Sequence, residues 1–262
     1  MKLSELLEIL ENGVGPVSLS DKFCKKYSMY DNSGIILNCC DEVKGVLFAL
    51  DLSAEAVEET LSRGFNAIVT HHPAIYGGLS RLDVLCDPQS AALAECLKNG
   101  VSVISMHLNF DVAPKGIDYH LMRGLGGDKA ELSATVEGGG YGRAYNVTPA
   151  DFLAYAKSVK TALGAERIFA YGAPDRVIKR VASFCGAGCD DRAVSFAYAE
   201  KADVFVSSDL KHHEIRALVS RGINVIQLTH YTSENYGFNK IYNEIALDLP
   251  VASAYFNDAE LA

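Results

Sequence analysis

Ala67-Ile68-Val69-Thr70-His71-His72-Pro73 is the stretch whose reading decides the fold. A short apolar, β-branched run follows Gly64 and a segment of helical pattern, then stops at two adjacent histidines and a proline. That predicts a buried strand delivering imidazoles to its own C-terminal edge, where open α/β sheets hold their ligands. Adjacent histidines on a loop point in divergent directions, so the pair suits two metals in one pocket better than two bonds to a single ion. The ordinary alternative has one histidine capping the strand and the other in solvent, and the dipeptide alone favours it. The ends of two later strands change that balance.

Outward from this stretch the pattern is regular. Residues 45–50 read as a buried strand; Ser53 caps a helix over 54–63, which Gly64 ends. Pro88 opens a helix over 89–98, stopped by Asn99-Gly100, and 101–106 read as a third strand. From Val177 the order repeats, with strands at 181–185, 204–206 and 223–228 and helices at 190–201 and 214–221. Gly100-Val101-Ser102-Val103-Ile104 aligns with Gly222-Ile223-Asn224-Val225-Ile226, and a histidine follows each, His107 and His230. The fold class expected is α/β: two related α/β lobes with largely parallel sheets and a metal site at C-terminal strand edges between the lobes. Residues 1–125, with His71, His72 and Asp111, form the first lobe, joined by 223–262 with His230 and Glu234; residues 126–222 form the second. Residues 16–38 are expected to be irregular and glycine-rich 124–142 to join the halves. A helix is expected from Thr148-Pro149 to about 163, then a strand over 167–171.

Composition narrows the function. The chain has 262 residues, a formal charge of −9 and no Lys/Arg block, so a nucleic-acid footprint is not expected. A small anionic substrate stays open, because a bound metal supplies local positive charge. The first ten residues carry acids within an amphipathic helical pattern, unlike a signal peptide, and no run approaches the ~18 apolar residues of a membrane helix. A cytoplasmic chain without membrane contact is expected. Seven cysteines form no paired framework. Cys39-Cys40 and Cys185-Gly-Ala-Gly-Cys189 read as small buried hydrophobes before soft-metal sites.

Five residues at three strand ends carry the chemistry. In His107-Leu108-Asn109-Phe110-Asp111, alternate residues share a face if the chain stays extended, bringing His107, Asn109 and Asp111 to one pocket. In His230-Tyr231-Thr232-Ser233-Glu234, a helix start places imidazole and carboxylate one turn apart. Taken singly, the first is an ordinary turn and the second a surface pair. Asp111, His230 and Glu234 together with His71 and His72 make three histidines and two carboxylates at strand edges. Carboxylates can bridge ions, so a dinuclear centre with Asp111 or Glu234 bridging, holding a hydroxide nucleophile, follows. Two divalent ions per chain are expected; the donors do not distinguish Zn, Fe, Mn, Co or Ni. A second cluster, Asp209-Leu210-Lys211-His212-His213-Glu214, either orients ligands and binds substrate or is a polar helix start.

With these residues in view the chain resembles the Nif-three-like dinuclear-metal proteins, also labelled type-2 GTP cyclohydrolase I homologues. The likeness runs through Asp31-Asn32-Ser33-Gly34, Ala49-Leu50-Asp51, the His71-His72 strand, Met106 to Asp111, Gly142-Arg143, Gly186-Ala187-Gly188, Asp209 to His213 and His230 to Glu234. It implies His71, His72, Asp111, His230 and Glu234 as metal ligands and a toroidal homohexamer of two-lobed subunits. The family usually has Trp at Tyr30, Thr at Leu108, Gly at Ser208 and Thr229, and Asn-Asp at Asp118-Tyr119, so the pocket lining differs. Two function classes follow. One is a metal-dependent hydrolase acting on a small nucleotide or phosphoester, with His107 or His213 moving protons and Asn109, Asp209, Lys211 and His212 lining the site. The other is a non-catalytic metal-binding scaffold or regulator.

Overall fold

A computed structural model describes residues 1–258 and 260–262. The chain divides into two compact units, Met1–Ala113 with Phe238–Asn257, and Pro114–Gly237 with Asp258–Ala262.

In the first unit, helices α1 (Leu3–Gly13) and α2 (Val17–Tyr27) precede strands β1 (Gly34–Leu37) and β2 (Gly45–Ala49). Then follow α3 (Ala54–Ser62), β3 (Ala67–Thr70), α4 (Pro88–Asn99), β4 (Ser102–Ser105) and α5 (Leu108–Val112). The sheet order is β1-β4-β3-β2-β11, with β11 at Ala252–Tyr255. All pairs but β1 with β4 are parallel. Every residue of β2, β3 and β4 is buried, as a parallel sheet covered on both faces requires. Leu47, Ile68 and Val103 pack with Val57 of α3 and Leu93 of α4. The helix ends follow their local signals: Ser53 accepts from the Ala56 N–H, Asp87 accepts from Gln89 and Ser90, and Gly100 closes α4 at φ 68°. The register decides the site: Ala49 pairs with Thr70 and Thr70 with Ser105. Asp51, His71-His72 and His107 therefore all leave the sheet at one edge.

The second unit holds α6 (Ile117–Gly124), β5 (Ala130–Val136), β6 (Gly139–Asp151), α7 (Phe152–Leu163), β7 (Ile168–Tyr171) and β8 (Val177–Ser183). It continues through α8 (Asp191–Ala199), β9 (Val204–Ser208), α9 (His212–Ser220) and β10 (Asn224–Leu228) into α10 (His230–Ile245), whose residues from Phe238 belong to the first unit. Its sheet order is β5-β6-β8-β9-β10-β7, with β8, β9 and β10 parallel and the other pairs antiparallel. The repeat read from the sequence is present as β2-α3-β3-α4-β4 and β8-α8-β9-α9-β10.

Several expectations need correction. Residues 16–38 are not irregular, since they hold α2 and β1; three lysines and three Ser/Asp positions in α2 obscure the apolar stripe of Leu19 and Phe23. The glycine-rich join is a hairpin, β5 with β6, closed by Glu137-Gly138 with Gly138 at φ 87°. Thr148-Pro149 lies inside β6, and the helix starts at Phe152. Residues 223–228 pair with β9 and β7 in the second unit, so the segment returning to the first begins at Phe238. Residues 108–112 are helical rather than extended. Five residues are too few to show a helical period in the sequence.

Candidate functional site

In the first unit the site is built where β3 and β4 end. The His71 backbone N–H bonds to the carbonyls of Ala49 and Leu50, which turns the chain out of β3 and leaves the imidazole buried. Its Nδ1 lies 2.9 Å from the Met106 carbonyl. A carbonyl only accepts, so Nδ1 carries a proton, which in the neutral ring leaves the lone pair on Nε2. That Nε2 lies 3.5 Å from Asp111 Oδ1, with both side chains buried. With a neutral imidazole these are two acceptors facing each other, an arrangement that a proton or a metal ion between them would stabilise.

Asp111 reaches this position because α5 turns once: its N–H bonds to the His107 carbonyl at 3.0 Å. His107 and Asp111 thus share the one-turn spacing of His230 and Glu234. Asn109, expected on the same face, points elsewhere: its amide donates to the Gly15 carbonyl at 2.8 Å, a packing role between α1 and α2. The His107 Nδ1 lies 2.7 Å from Asp31 Oδ1. Burial would raise the Asp31 carboxyl, but the His107 ring N–H and charge, with the Ser20 and Ser33 hydroxyls, outweigh it and hold the group well below the usual carboxylate range. The half-buried His72 places Nδ1 2.7 Å from Asp51 Oδ1. The His71 and His72 ring centroids are 5.0 Å apart with planes at 44°, closer than divergence implied, and the His71 and His107 centroids are 5.1 Å apart. His71, His107 and Asp111 each bring a ligand atom within 4.8 Å of the other two.

In the second unit α10 opens with His230, whose Nε2 lies 3.0 Å from Glu234 Oε2. Its Nδ1 is held by Asp209. Asp209 follows β9 in the left-handed region at φ 53°, a conformation aspartate tolerates better than most residues. It does not cap α9, whose N-cap is Lys211. Gly186, at φ 56°, has no room for a side chain: a Cβ there would stand 2.1 Å from Glu234 Oε1 and 3.5 Å from His230 Nε2. The Gly186 N–H donates to Ser233 Oγ at 2.9 Å, and the preceding Cys185 N–H donates to buried Asp118 at 3.2 Å. Asp118 also accepts from the Gly142 N–H at 3.0 Å and pairs with Arg143 Nε at 2.9 Å. This anchored turn admits the Glu234 carboxylate.

Lys211, His212 and His213 are exposed at the start of α9. Lys211 Nζ and His213 Nε2 lie 3.6 and 4.0 Å from Glu214 Oε1, and the buried Glu214 accepts from the Lys211 N–H at 2.7 Å. These contacts build a helix N-terminus. The cysteines are free thiols. Burial and then the nearby Glu214 push Cys189 up to about 12, away from the thiolate a soft-metal site uses.

Four histidines therefore share one device: Nδ1 is committed to an acceptor, Met106 O for His71, Asp51 for His72, Asp31 for His107 and Asp209 for His230. That leaves Nε2 to present outward, the usual arrangement of metal-ligating imidazoles. Sequence reasoning did not single out Asp31, Asp51 or Gly186 for this work. Asp51 and Asp209 had a usable signal, since each follows the end of a parallel strand.

The geometry can be set beside known proteins. A GTP cyclohydrolase 1 type 2 homolog from Clostridium perfringens is 28% identical over 243 residues, covering 89% of this chain and 87% of that protein. A NIF3 homolog from Schizosaccharomyces pombe is 27% identical, covering 88% and 84%. A Staphylococcus aureus hypothetical protein of known structure matches with a TM-score of 0.84 at 23% identity, over 98% of this chain and 96% of that one. A Bacillus cereus protein related to NIF3 gives 0.81 at 18%, over 98% and 97%. At such identities the solved structures bear on the fold alone. Residues 1–257 match the Duf34/NIF3 (NGG1p interacting factor 3) family, and the chain belongs to it.

Proposed function

We propose that this protein is a metal-dependent hydrolase of small nucleotides or phosphoesters, carrying two divalent ions per chain with His71, His72, Asp111, His230 and Glu234 as ligands. The observation that carries the reading is the shared histidine device, above all the buried His71 Nε2 and Asp111 Oδ1 facing each other at 3.5 Å. The donors fit the group: imidazole nitrogens with fixed tautomers and carboxylate oxygens suit Zn, Fe, Mn, Co or Ni. Gly186 adds to the fit, because only a glycine leaves the Glu234 carboxylate its place.

Bound divalent ions supply Lewis acidity and lower the pKa of a coordinated water. The chain's own residues do the rest. Met106 O, Asp51 and Asp209 fix the tautomers of His71, His72 and His230, and His107 takes and returns a proton. The family resemblance supports a homohexamer, and the unpaired cysteine pattern supports a reducing compartment such as the cytoplasm; among the described residues, no helix is long and apolar enough to cross a membrane.

The test is turnover. Protein reloaded with Mn, Zn or Fe should hydrolyse members of a nucleotide and phosphoester panel, and chelation should abolish it. Full metal occupancy with no turnover under any metal would leave the non-catalytic scaffold in its place.

A further inference from the structure

Asp31 lies 76 residues from His107 in sequence, yet one oxygen of its carboxylate holds that ring. Oδ1 receives the His107 Nδ1–H at 2.7 Å, and Oδ2 receives the hydroxyls of Ser20 and Ser33. With both oxygens committed and the side chain 3% exposed, the carboxylate cannot rotate away. The same short segment holds the histidine a second time, because the His107 backbone N–H donates to Ser33 Oγ at 3.1 Å. Between these two residues, Asn32 Nδ2 donates to the Ile75 carbonyl at 2.6 Å, tying the segment to the loop that follows His72. Residues 31–33 are thus a strap across the ends of β3 and β4, with His107 as its main load.

We propose that Asp31 is a positioning residue that locks His107 as the Nδ1–H tautomer, making Nε2 the atom that accepts a proton during the reaction. An ionised carboxylate only accepts, so the ring proton of a neutral His107 must sit on Nδ1, against the preference of a free histidine side chain for Nε2–H. His107 then works as the general base of the hydrolase reading on which this inference rests. Nε2 takes a proton from the attacking water as its O–H bond breaks. The oxygen's electron pair bonds the electrophilic centre, and the imidazolium, steadied by Asp31, returns the proton to the leaving group. His107 is thereby assigned to proton transfer rather than to ligation, although it stands beside His71 and Asp111.

The experiment has two independent arms. In metal-free, uniformly 15N-labelled protein at one fixed alkaline pH, long-range 1H–15N spectra report each ring's tautomer, with His107→Gln identifying the His107 signals. The wild type should show His107 protonated at Nδ1, and Asp31→Asn should shift it toward Nε2–H. An Nε2–H signal in the wild type, or no change in Asp31→Asn, overturns the positioning role. Backbone amide spectra establish that each variant is folded, and Ser20→Ala, which leaves Oδ1 untouched, should keep the wild-type tautomer.

In the second arm, Asp31→Asn and His107→Gln should keep wild-type metal content while turnover of a panel substrate falls ~10²–10⁴-fold, the usual worth of a positioned general base. Loss of metal in either variant would make His107 a ligand and overturn the proton-transfer assignment. Absence of turnover in the metal-loaded wild type removes the hydrolase reading and the proton transfer built on it. The tautomer lock is still decided by the spectra alone.

Discussion

His71 Nε2 and Asp111 Oδ1 meet at 3.5 Å inside the first unit, two acceptors turned toward each other by unrelated constraints. The Met106 carbonyl sets the imidazole and one turn of α5 sets the carboxylate. If a metal ion fills that gap, substitution of the carboxylate gives a contrast in sign. Asp111→Asn should lower metal affinity at least ~10–100-fold, as loss of a ligand or its partner does. In chelator at pH 8, well above the ordinary imidazole pKa of about 6.5, the same change should stabilise the fold by roughly 0.5–1.5 kcal/mol, since an amide N–H then faces the lone pair. Competition titration and denaturant melts read both numbers. Destabilisation in chelator would mean that a proton, and not a metal, normally fills the gap.

Glu234 and Glu214 are both buried carboxylates near the start of a helix, yet they should differ in kind. Glu234→Gln removes the charge beside His230 Nε2, and metal content should fall by about half, from two ions toward one. Glu214 instead caps the Lys211 N–H at 2.7 Å, which a glutamine carbonyl can still do. Glu214→Gln should leave metal content unchanged and cost only ~0.3–1 kcal/mol of helix-terminus stability. Elemental analysis of both variants, purified without chelator, compares them directly; equal metal content would remove Glu234 from the ligand set.

Gly186→Ala makes a stricter test of the second unit. The added methyl would stand 2.1 Å from Glu234 Oε1, and φ 56° disfavours alanine as well. The backbone cost alone is of order 1–3 kcal/mol. Because the Cys185 N–H stays anchored on Asp118, the turn should hold and the carboxylate should move, so metal affinity should drop along with stability. Gly138→Ala, at φ 87° with no atom near its Cβ, controls for the backbone term. If both variants lose stability equally and both keep wild-type affinity, the cradle role of Gly186 is wrong.

Much of this was legible from residues alone. The strands carrying His71-His72, His107 and His230 announced themselves because parallel strands buried on both faces read as continuous apolar runs bounded by glycine and proline. His230 and Glu234 were paired correctly because one helical turn is a local spacing. What stayed hidden is non-local or short. Asp31 reaches His107 across 76 positions, and Asp51 reaches His72 across 21, and no sequence pattern encodes such contacts. The five-residue α5 looked extended, which put Asn109 in the site when its amide in fact ties α5 to Gly15. The β5–β6 hairpin stays hidden because its glycines read as a linker and no residue of the edge strand β5 is buried, so no apolar run marks it.

Asp31 also sets the acid limit of the first unit. Burial alone would raise its carboxyl, but the His107 ring and the two serine hydroxyls reverse that and depress it in the folded state. A depressed carboxyl contributes stability that is fully present above its unfolded value, about 3.9, and that is lost as pH falls through the lower folded value. In metal-free protein, the stability difference between wild type and Asp31→Asn should therefore be retained in full down to about pH 5. It should then shrink steadily as pH falls below about 4, as the wild-type carboxylate takes up the proton that folding resists. Urea melts of both proteins across that range give the difference directly. A gap that stays level down to pH 2, or widens there, would show that Asp31 is not held ionised by His107, Ser20 and Ser33.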